Sequence, residues 1–291
     1  MKMEGRLLKI HVVCDSGSNY REIDGISGSV AALRISTDER EFIDDKNIDI
    51  VAMTDYLAGV KIPSRSACPS VVEWLDSFGN NDNIIVLTLS GALSGSYNSA
   101  CIAAEQYKEE NPGKRVYVLD TFSIGPVQKL CVEFIKKTIA DGEAKGDDDA
   151  TFENICKKLY DYNHDNLHIG FSLKSMNNLA NNGRINKAVA KVATTLKIRI
   201  VGDFNEEGVL DPSDKVRGEA KAMATMYENM KKCGYKGGAV IIDHCLAEDT
   251  AKVLSDNIHA EYPDVNIRFE DTTGICSFYA EKGGIIVGYE K

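Results

Sequence analysis

The sequence predicts an α/β protein built from two α/β domains, with a mainly parallel sheet in the first and a mixed sheet in the second. Short apolar runs of strand length alternate with stretches in which apolar residues recur at helical spacing, as in strands joined by covering helices. A polar, glycine-bearing stretch at 142–149 interrupts this alternation. It is the best candidate boundary, so we predict domains at 1–146 and 147–291.

The first half is predicted to hold four strands and four helices. The clearest pair is the apolar run at 84–89 followed by Tyr97, Cys101, Ala104 and Tyr107, which recur at the spacing of one helical face. In chain order the predicted strands are 7–13, 29–36, 84–89 and 115–119, and the helices are 49–59, 70–78, 95–109 and 124–140.

The second half continues the alternation with more strands in sequence. Glu206-Glu-Gly208 separates two short apolar runs, which predicts an antiparallel pair. The predicted helices are 151–162, 174–181, 186–195, 214–232 and 247–260, and the predicted strands are 167–171, 198–203, 208–211, 238–242, 265–270 and 284–289.

The turn between the strand at 84–89 and its helix is rich in serine and glycine. Ser90, Gly91, Ser94 and Gly95 lie where unpaired backbone N–H groups and the positive end of a helix dipole favour a carboxylate or phosphate. The spacing of Gly91-Ala-Leu-Ser94-Gly95 is one residue too long for the nucleophile elbow G-x-S-x-G, and no Gly-Lys-Ser/Thr follows to make a P-loop. The turn therefore favours binding over catalysis, although serines before helices often serve only as caps.

A second hydroxyl-rich stretch precedes the predicted helix at 70–78. Ser66 or Ser70 suits the start of this helix, and Pro69 suits its first turn. Two hydroxyl-lined helix starts could thus converge on one anion site.

Seven motifs follow one another along nearly the whole chain. In these motifs and in their order the chain resembles the DegV family of bacterial fatty-acid-binding proteins. They are Cys14-Asp15-Ser16, Ser66-Ala-Cys-Pro-Ser70, the turn from Ser90 to Ala100, Val118-Leu-Asp-Thr-Phe-Ser-Ile-Gly125, Leu179-Ala-Asn-Asn-Gly-Arg-Ile185, Lys215-Val-Arg-Gly218 and Cys276-Ser-Phe-Tyr-Ala-Glu-Lys-Gly-Gly284. No single motif is decisive, but seven in order are a specific signal.

The resemblance implies a long-chain fatty acid bound in a tunnel between the two domains, with no cofactor besides this ligand. It implies that Ser66, Ser90 and Ser94, with Gly91 in the same turn, hold the carboxylate, and that Arg184 lies near the mouth, where it assists an acyl phosphate or a kinase contact. Kinase-coupled members carry a histidine in the terminal motif where this chain has Tyr279 or a neighbour, a departure that bears on kinase coupling rather than on lipid binding.

Three functions remain open at this point. The first is a non-catalytic subunit that presents a fatty acid to a fatty acid kinase, and the second is a lipid carrier or sensor without a kinase. The third is an acyl or phosphoryl transferase with Asp15 or Asp120 as base and a loop serine as nucleophile, although such aspartates more often orient loops. For the tunnel lining we expect Phe122, Ile124 and Phe278.

Composition excludes other classes of protein. A formal charge of -10 without a Lys/Arg cluster argues against nucleic-acid binding. The histidines show neither H-x-x-x-H nor H-E-x-x-H spacing, so we expect no metal site, and the eight cysteines include no C-x-x-C pair, which predicts reduced thiols. We also expect a cytoplasmic protein without stable membrane insertion, because we find no 18-residue uncharged apolar run and no secretory signal.

Overall fold

The computed structural model describes residues 8–60, 64–188, 190–191 and 198–291. Its first sheet is fully parallel, with the order β2-β1-β6-β7. The strands are β1 (His11–Asp15), β2 (Ser27–Ala31), β6 (Asn83–Thr88) and β7 (Arg115–Asp120). Side chains alternate along β6, so its apolar residues point to both faces of the first sheet, and helices cover both faces. Ile84 and Val86 join a buried cluster with helices α2 (Val71–Phe78) and α3 (Ser96–Glu110), whereas Ile85 and Leu87 join the cluster that contains α4 (Pro126–Ala140).

A small antiparallel sheet lies beside the first one and carries part of the candidate site. It consists of β3 (Arg34–Ser36), β4 (Glu41–Ile43) and β5 (Arg65–Ala67), with β3 in the middle and Ser66 paired with Ile35. Helix α1 (Ile50–Gly59) follows β4, and Asp49 caps it by accepting a hydrogen bond from the Ala52 amide.

The second sheet has six strands in the order β10-β9-β8-β13-β11-β12 and is mixed. Only its β11–β12 pair is parallel. The strands are β8 (Leu167–Leu173), β9 (Arg199–Phe204), β10 (Leu210–Val216), β11 (Val240–His244), β12 (Ile267–Asp271) and β13 (Ile285–Glu290). The helices of this half that lie wholly within the described residues are α5 (Asp149–Asp161), α6 (Asn177–Asn181), α7 (Glu219–Lys232), α8 (Glu248–His259) and α9 (Gly274–Ala280).

Helix α4 lies between the two sheets. It packs on β6 of the first sheet and on β8, β11 and β13 of the second, and its buried residues belong to one apolar cluster that spans both halves. Helices α7 and α8 cover the opposite face of the second sheet with a separate cluster that includes Val201 and Val287. The layers are therefore α2 and α3, the first sheet, α4, the second sheet, and α7 with α8.

A buried ion pair ties α4 to the second sheet. Lys129 Nζ lies 3.1 Å from a carboxylate oxygen of Asp243 and also contacts Glu270. Lys129 and Asp243 are fully buried, and the Asn19 amide donates a further hydrogen bond to Asp243. Since a buried charge is tolerated only when it is paired, this contact fixes α4 against β11 and β12.

The architecture confirms the predicted fold class, and several elements correct the predicted bounds. The predicted strand 29–36 is two strands, β2 and β3, and the predicted helix 214–232 begins only at Glu219 because β10 continues to Val216. Strands β4 and β5 and helix α9 were not predicted. The last part of the predicted helix 186–195 lies outside the described residues.

The domain division at residue 146 stays a prediction. Helix α5 follows this boundary yet packs on β7 and α4. Among the described residues, no helix is long and apolar enough to cross a membrane.

Candidate functional site

An apolar cavity lies where the carboxyl ends of β1 and β6 face the second sheet. It encloses about 670 Å³ of space free of protein atoms, part of which is open to solvent. Apolar side chains form most of its lining, namely Leu33, Leu89, Leu93, Ile124, Phe171, Leu173, Leu179, Phe204, Leu210, Ile275 and Ile286. The apolar lining suits a hydrocarbon.

Four polar side chains line the same cavity, and three of them, Ser66, Tyr279 and Arg184, contact one another. Ser66 Oγ lies 2.6 Å from the Tyr279 hydroxyl, and the Arg184 guanidinium carbon lies 6.0 Å from the centre of the Tyr279 ring. Arg184 Nε donates to the carbonyl of Leu93, the residue before Ser94, at 3.0 Å. Ser66, Ser94, Arg184 and Tyr279 therefore form one polar cluster, which we call the head cluster.

Each member of the head cluster comes from a different part of the fold. Ser66 lies on β5, Ser94 on the turn before α3, Arg184 after α6 and Tyr279 on α9. Arg184 Nη1 donates to the Asn182 carbonyl, and Nη2 has no hydrogen-bond partner among the described residues. The guanidinium is thus held by backbone carbonyls while one of its donors remains available to an anion.

The buried carboxylate of Asp15 fixes the turn before α3 through hydrogen bonds. Asp15 accepts hydrogen bonds from the Leu89 amide, the Ser96 hydroxyl and the Gln128 amide at 2.9, 2.6 and 3.1 Å. Burial raises the pKa of Asp15 to about 6, while these hydrogen bonds oppose the rise. Gly17 lines the cavity just above, and a Cβ there would lie only 2.8 Å from the Leu89 side chain.

The structure does not bring Ser90 and Gly91 to the cavity lining. The Ser90 hydroxyl is buried and donates to the Gly208 carbonyl at 2.8 Å, and the Gly91 amide donates to Asp120 at 3.0 Å. Both residues instead hold the turn in the shape that presents Ser94. Of the two serines expected at the start of α2, Ser70 is the cap and accepts a hydrogen bond from the Glu73 amide, whereas Ser66 lies on β5.

The aspartates of the transferase hypothesis act as scaffold. Asp120 accepts hydrogen bonds from the amides of Gly91 and Phe122, and Asp15 contacts the fully buried Ser96 rather than Ser90 or Ser94. Among the residues that the structure describes, neither carboxylate is hydrogen-bonded to a serine hydroxyl that lines the cavity, so these residues offer no base-activated serine there.

Only part of the expected apolar lining lies in the cavity. Ile124 lines it, whereas Phe122 is exposed and Phe278 is buried outside the lining. Phe171, Phe204 and the other cavity residues of the second sheet were not predicted. Strand alternation predicts which residues share a face of a strand, but not which face meets the first half of the chain.

Comparison with known proteins places the chain among relatives of the same length and fold. The DegV family model, described as an uncharacterised protein family, matches residues 9–291. A DegV domain-containing protein of Streptococcus gordonii is 34% identical over 283 residues, which cover 96% of this chain and 98% of that protein.

Two solved structures share the fold along nearly the whole chain. A DegV family protein from Eubacterium eligens loaded with heptadecanoic acid is 36% identical, with a TM-score of 0.92 over 97% of this chain and 99% of the other. The Streptococcus pneumoniae Fatty Acid Kinase B3 protein loaded with linoleic acid is 33% identical, with a TM-score of 0.91 over the same shares of the two chains. This chain therefore belongs to the DegV family.

Proposed function

We propose that the protein binds one long-chain fatty acid, with the carboxylate at the head cluster and the acyl chain in the apolar cavity. One observation carries the proposal: the lining of one apolar cavity includes hydroxyls and a guanidinium that contact one another. This pairing of one polar cluster with an apolar space matches an amphiphile with one anionic group. The fatty acids in the two related structures above support it. No cofactor is required.

The cavity and the head cluster contribute differently to the free energy of binding. Burying a methylene contributes roughly 0.8 kcal/mol, so about fifteen methylenes contribute around 12 kcal/mol before ordering costs. A hydroxyl contributes about 1 kcal/mol, and up to roughly 3 kcal/mol when its partner is charged. The cavity therefore supplies most of the affinity, while Ser66, Ser94, Arg184 and Tyr279 fix the orientation of the fatty acid.

Native mass spectrometry of the purified protein tests this function directly. We expect a bound mass equal to that of a long-chain fatty acid, which denaturing conditions release in stoichiometric amount. A folded protein that carries no fatty acid and does not take up added fatty acid would refute the proposal.

We further propose that the protein presents its fatty acid to a fatty acid kinase for acyl phosphate formation. The likeness to the Streptococcus pneumoniae kinase B3 protein supports this role, as does the position of Arg184 in the head cluster, where a positive charge would stabilise a phosphorylated carboxylate. Incubating the loaded protein with a fatty acid kinase and ATP tests it, and acyl phosphate is the expected product. Fatty acid binding without acyl phosphate would instead identify a lipid carrier that acts without a kinase.

We also propose a cytoplasmic location. All eight cysteines lie in the described part of the chain, and all are free thiols. Free thiols are typical of a reducing compartment. Immunoblots of cell fractions would test this location.

A further inference from the structure

The second sheet presents two chemically different faces. On one face, Phe171, Phe204 and Ile286 line the fatty acid cavity. Their neighbours in β8, β9 and β13 point to the opposite face because side chains alternate along a strand. His168, Asp203 and Tyr289 therefore lie on the face covered by α7, with Tyr289 directly paired with His168 across the strands.

Three side chains on this outer face converge on a common point. Cys233 follows α7 and brings its thiol to within 3.5 Å of an Asp203 carboxylate oxygen. His168 Nε2 lies 3.7 Å from the same oxygen, and the three ligand atoms all lie within 4.8 Å of one another. In a tetrahedral zinc site, metal–ligand distances of about 2.0–2.3 Å place ligand atoms about 3.3–3.7 Å apart. The two contacts to Asp203 already match this spacing, and the imidazole and the thiol, which lie within 4.8 Å of each other, would move closer by about 1 Å at most.

One buried nitrogen of this cluster has no hydrogen-bond partner among the described residues. This atom is Nε2 of His168, although the imidazole as a whole is partly exposed. An unpaired buried nitrogen costs free energy, and a metal ion would remove that cost. The order of the groups also disfavours a nucleophilic cysteine, because Asp203 contacts both other residues and the imidazole does not lie between the carboxylate and the thiol.

We propose that His168, Asp203 and Cys233 bind a single Zn²⁺ ion. One nitrogen, one oxygen and one sulfur donor suit zinc and exclude Mg²⁺ and Ca²⁺, which require oxygen ligands. The Tyr289 ring packs edge-on against the His168 imidazole, with ring centroids 5.7 Å apart, and would orient this ligand from the outer shell. The three residues come from separate elements, so their spacing in the sequence does not indicate a metal site. It lies on the face opposite the cavity, so the proposal is independent of fatty acid binding.

Cobalt substitution of the full chain, prepared without a histidine tag and stripped with a chelator, tests the site. A Cys–Co²⁺ bond produces a charge-transfer band in the near ultraviolet, and a four-coordinate ion produces intense visible bands. We expect both bands in the wild-type protein at one equivalent of Co²⁺, and we expect added Zn²⁺ to remove them. The absence of the charge-transfer band from the folded wild-type protein would overturn the proposal, whatever the behaviour of any variant.

Two cysteine variants test whether Cys233 supplies the sulfur ligand. Loss of an outer-shell partner alone weakens metal binding by about 10- to 100-fold, so Cys233→Ser should weaken Zn²⁺ binding at least that much and abolish the charge-transfer band. Cys101→Ser is the matched control, because Cys101 is also partly exposed but lies on α3, away from the second sheet. Equal binding by wild type, C233S and C101S, or loss of the band in C101S, would overturn the assignment.

Discussion

Replacing Tyr279 by Phe removes one hydroxyl from the head cluster and leaves the aromatic ring in place. In the unliganded protein this hydroxyl and Ser66 Oγ share a hydrogen bond of 2.6 Å. On binding, the Tyr279 hydroxyl would exchange that neutral bond, worth about 0.5–1.5 kcal/mol, for a bond to a carboxylate, worth about 1.5–3 kcal/mol. The net loss in Tyr279→Phe is therefore about 1–1.5 kcal/mol, which raises the dissociation constant roughly five- to tenfold.

Isothermal titration with a long-chain fatty acid, after removal of bound lipid, measures this change. The matched control is Tyr227→Phe, because the Tyr227 hydroxyl donates to Glu261 on the outer face of the second sheet. We expect Tyr227→Phe to bind as the wild type does. The double variant Ser66→Ala/Tyr279→Phe should lose less affinity than the sum of the two single variants, because both hydroxyls contact one carboxylate.

Two results would refute this reasoning. If Tyr279→Phe and Ser66→Ala both kept the wild-type affinity, the carboxylate would not lie at the head cluster. If the two losses were strictly additive, the two hydroxyls would act on different groups.

Three further predictions follow from the contacts of buried and turn residues. Ser94→Ala should weaken fatty acid binding by about 1 kcal/mol, measured by the same titration, and the protein should stay folded; unchanged affinity would remove Ser94 from the site. Lys129→Met leaves Asp243 buried without its cation, so the free energy of unfolding measured in urea should fall by about 3–5 kcal/mol. A fall of less than about 1 kcal/mol would contradict the role given to this ion pair. The pKa of Asp15 is raised to about 6 in the folded protein, whereas the pKa of an unfolded aspartate is near 4. Protonated Asp15 therefore stabilises the fold fully below about pH 4, and this contribution is lost as the pH rises through about 6. Lowering the pH from 7.5 to 5 should raise the melting temperature of the wild type relative to Asp15→Asn, and parallel shifts in the two proteins would contradict this.

The first half of the site could be predicted because its signals are local. Strand β6, helix α3 and the turn with Ser94 lie within one continuous stretch, where an apolar run, helical spacing and small residues each identify one element. The placement of Asp15 beneath this turn agrees with the usual role of an aspartate at a strand end.

The other half of the site depends on contacts between distant parts of the chain. Tyr279 lies on the seven-residue helix α9, whose first amides donate to the carboxylate of Asp44 at 2.6 and 2.8 Å, so its cap comes from another part of the fold. Ser66 lies on a three-residue strand that depends on pairing with β3. Neither element carries a local periodicity. The residues placed Ser66 at a helix start rather than on a strand, and only the family resemblance pointed to Tyr279.

The position of α4 determines how the molecule can move. A helix that supplies the core of both sheets leaves no interface along which the two halves could swing apart as rigid bodies. We therefore expect a single cooperative unfolding transition rather than two. Entry and exit of a fatty acid must then depend on local opening of the small elements around the cavity, such as α6 and α9, while both sheets stay in place. The lifetime of the loaded state would thus be set by the stability of these short helices and not by the stability of the whole fold.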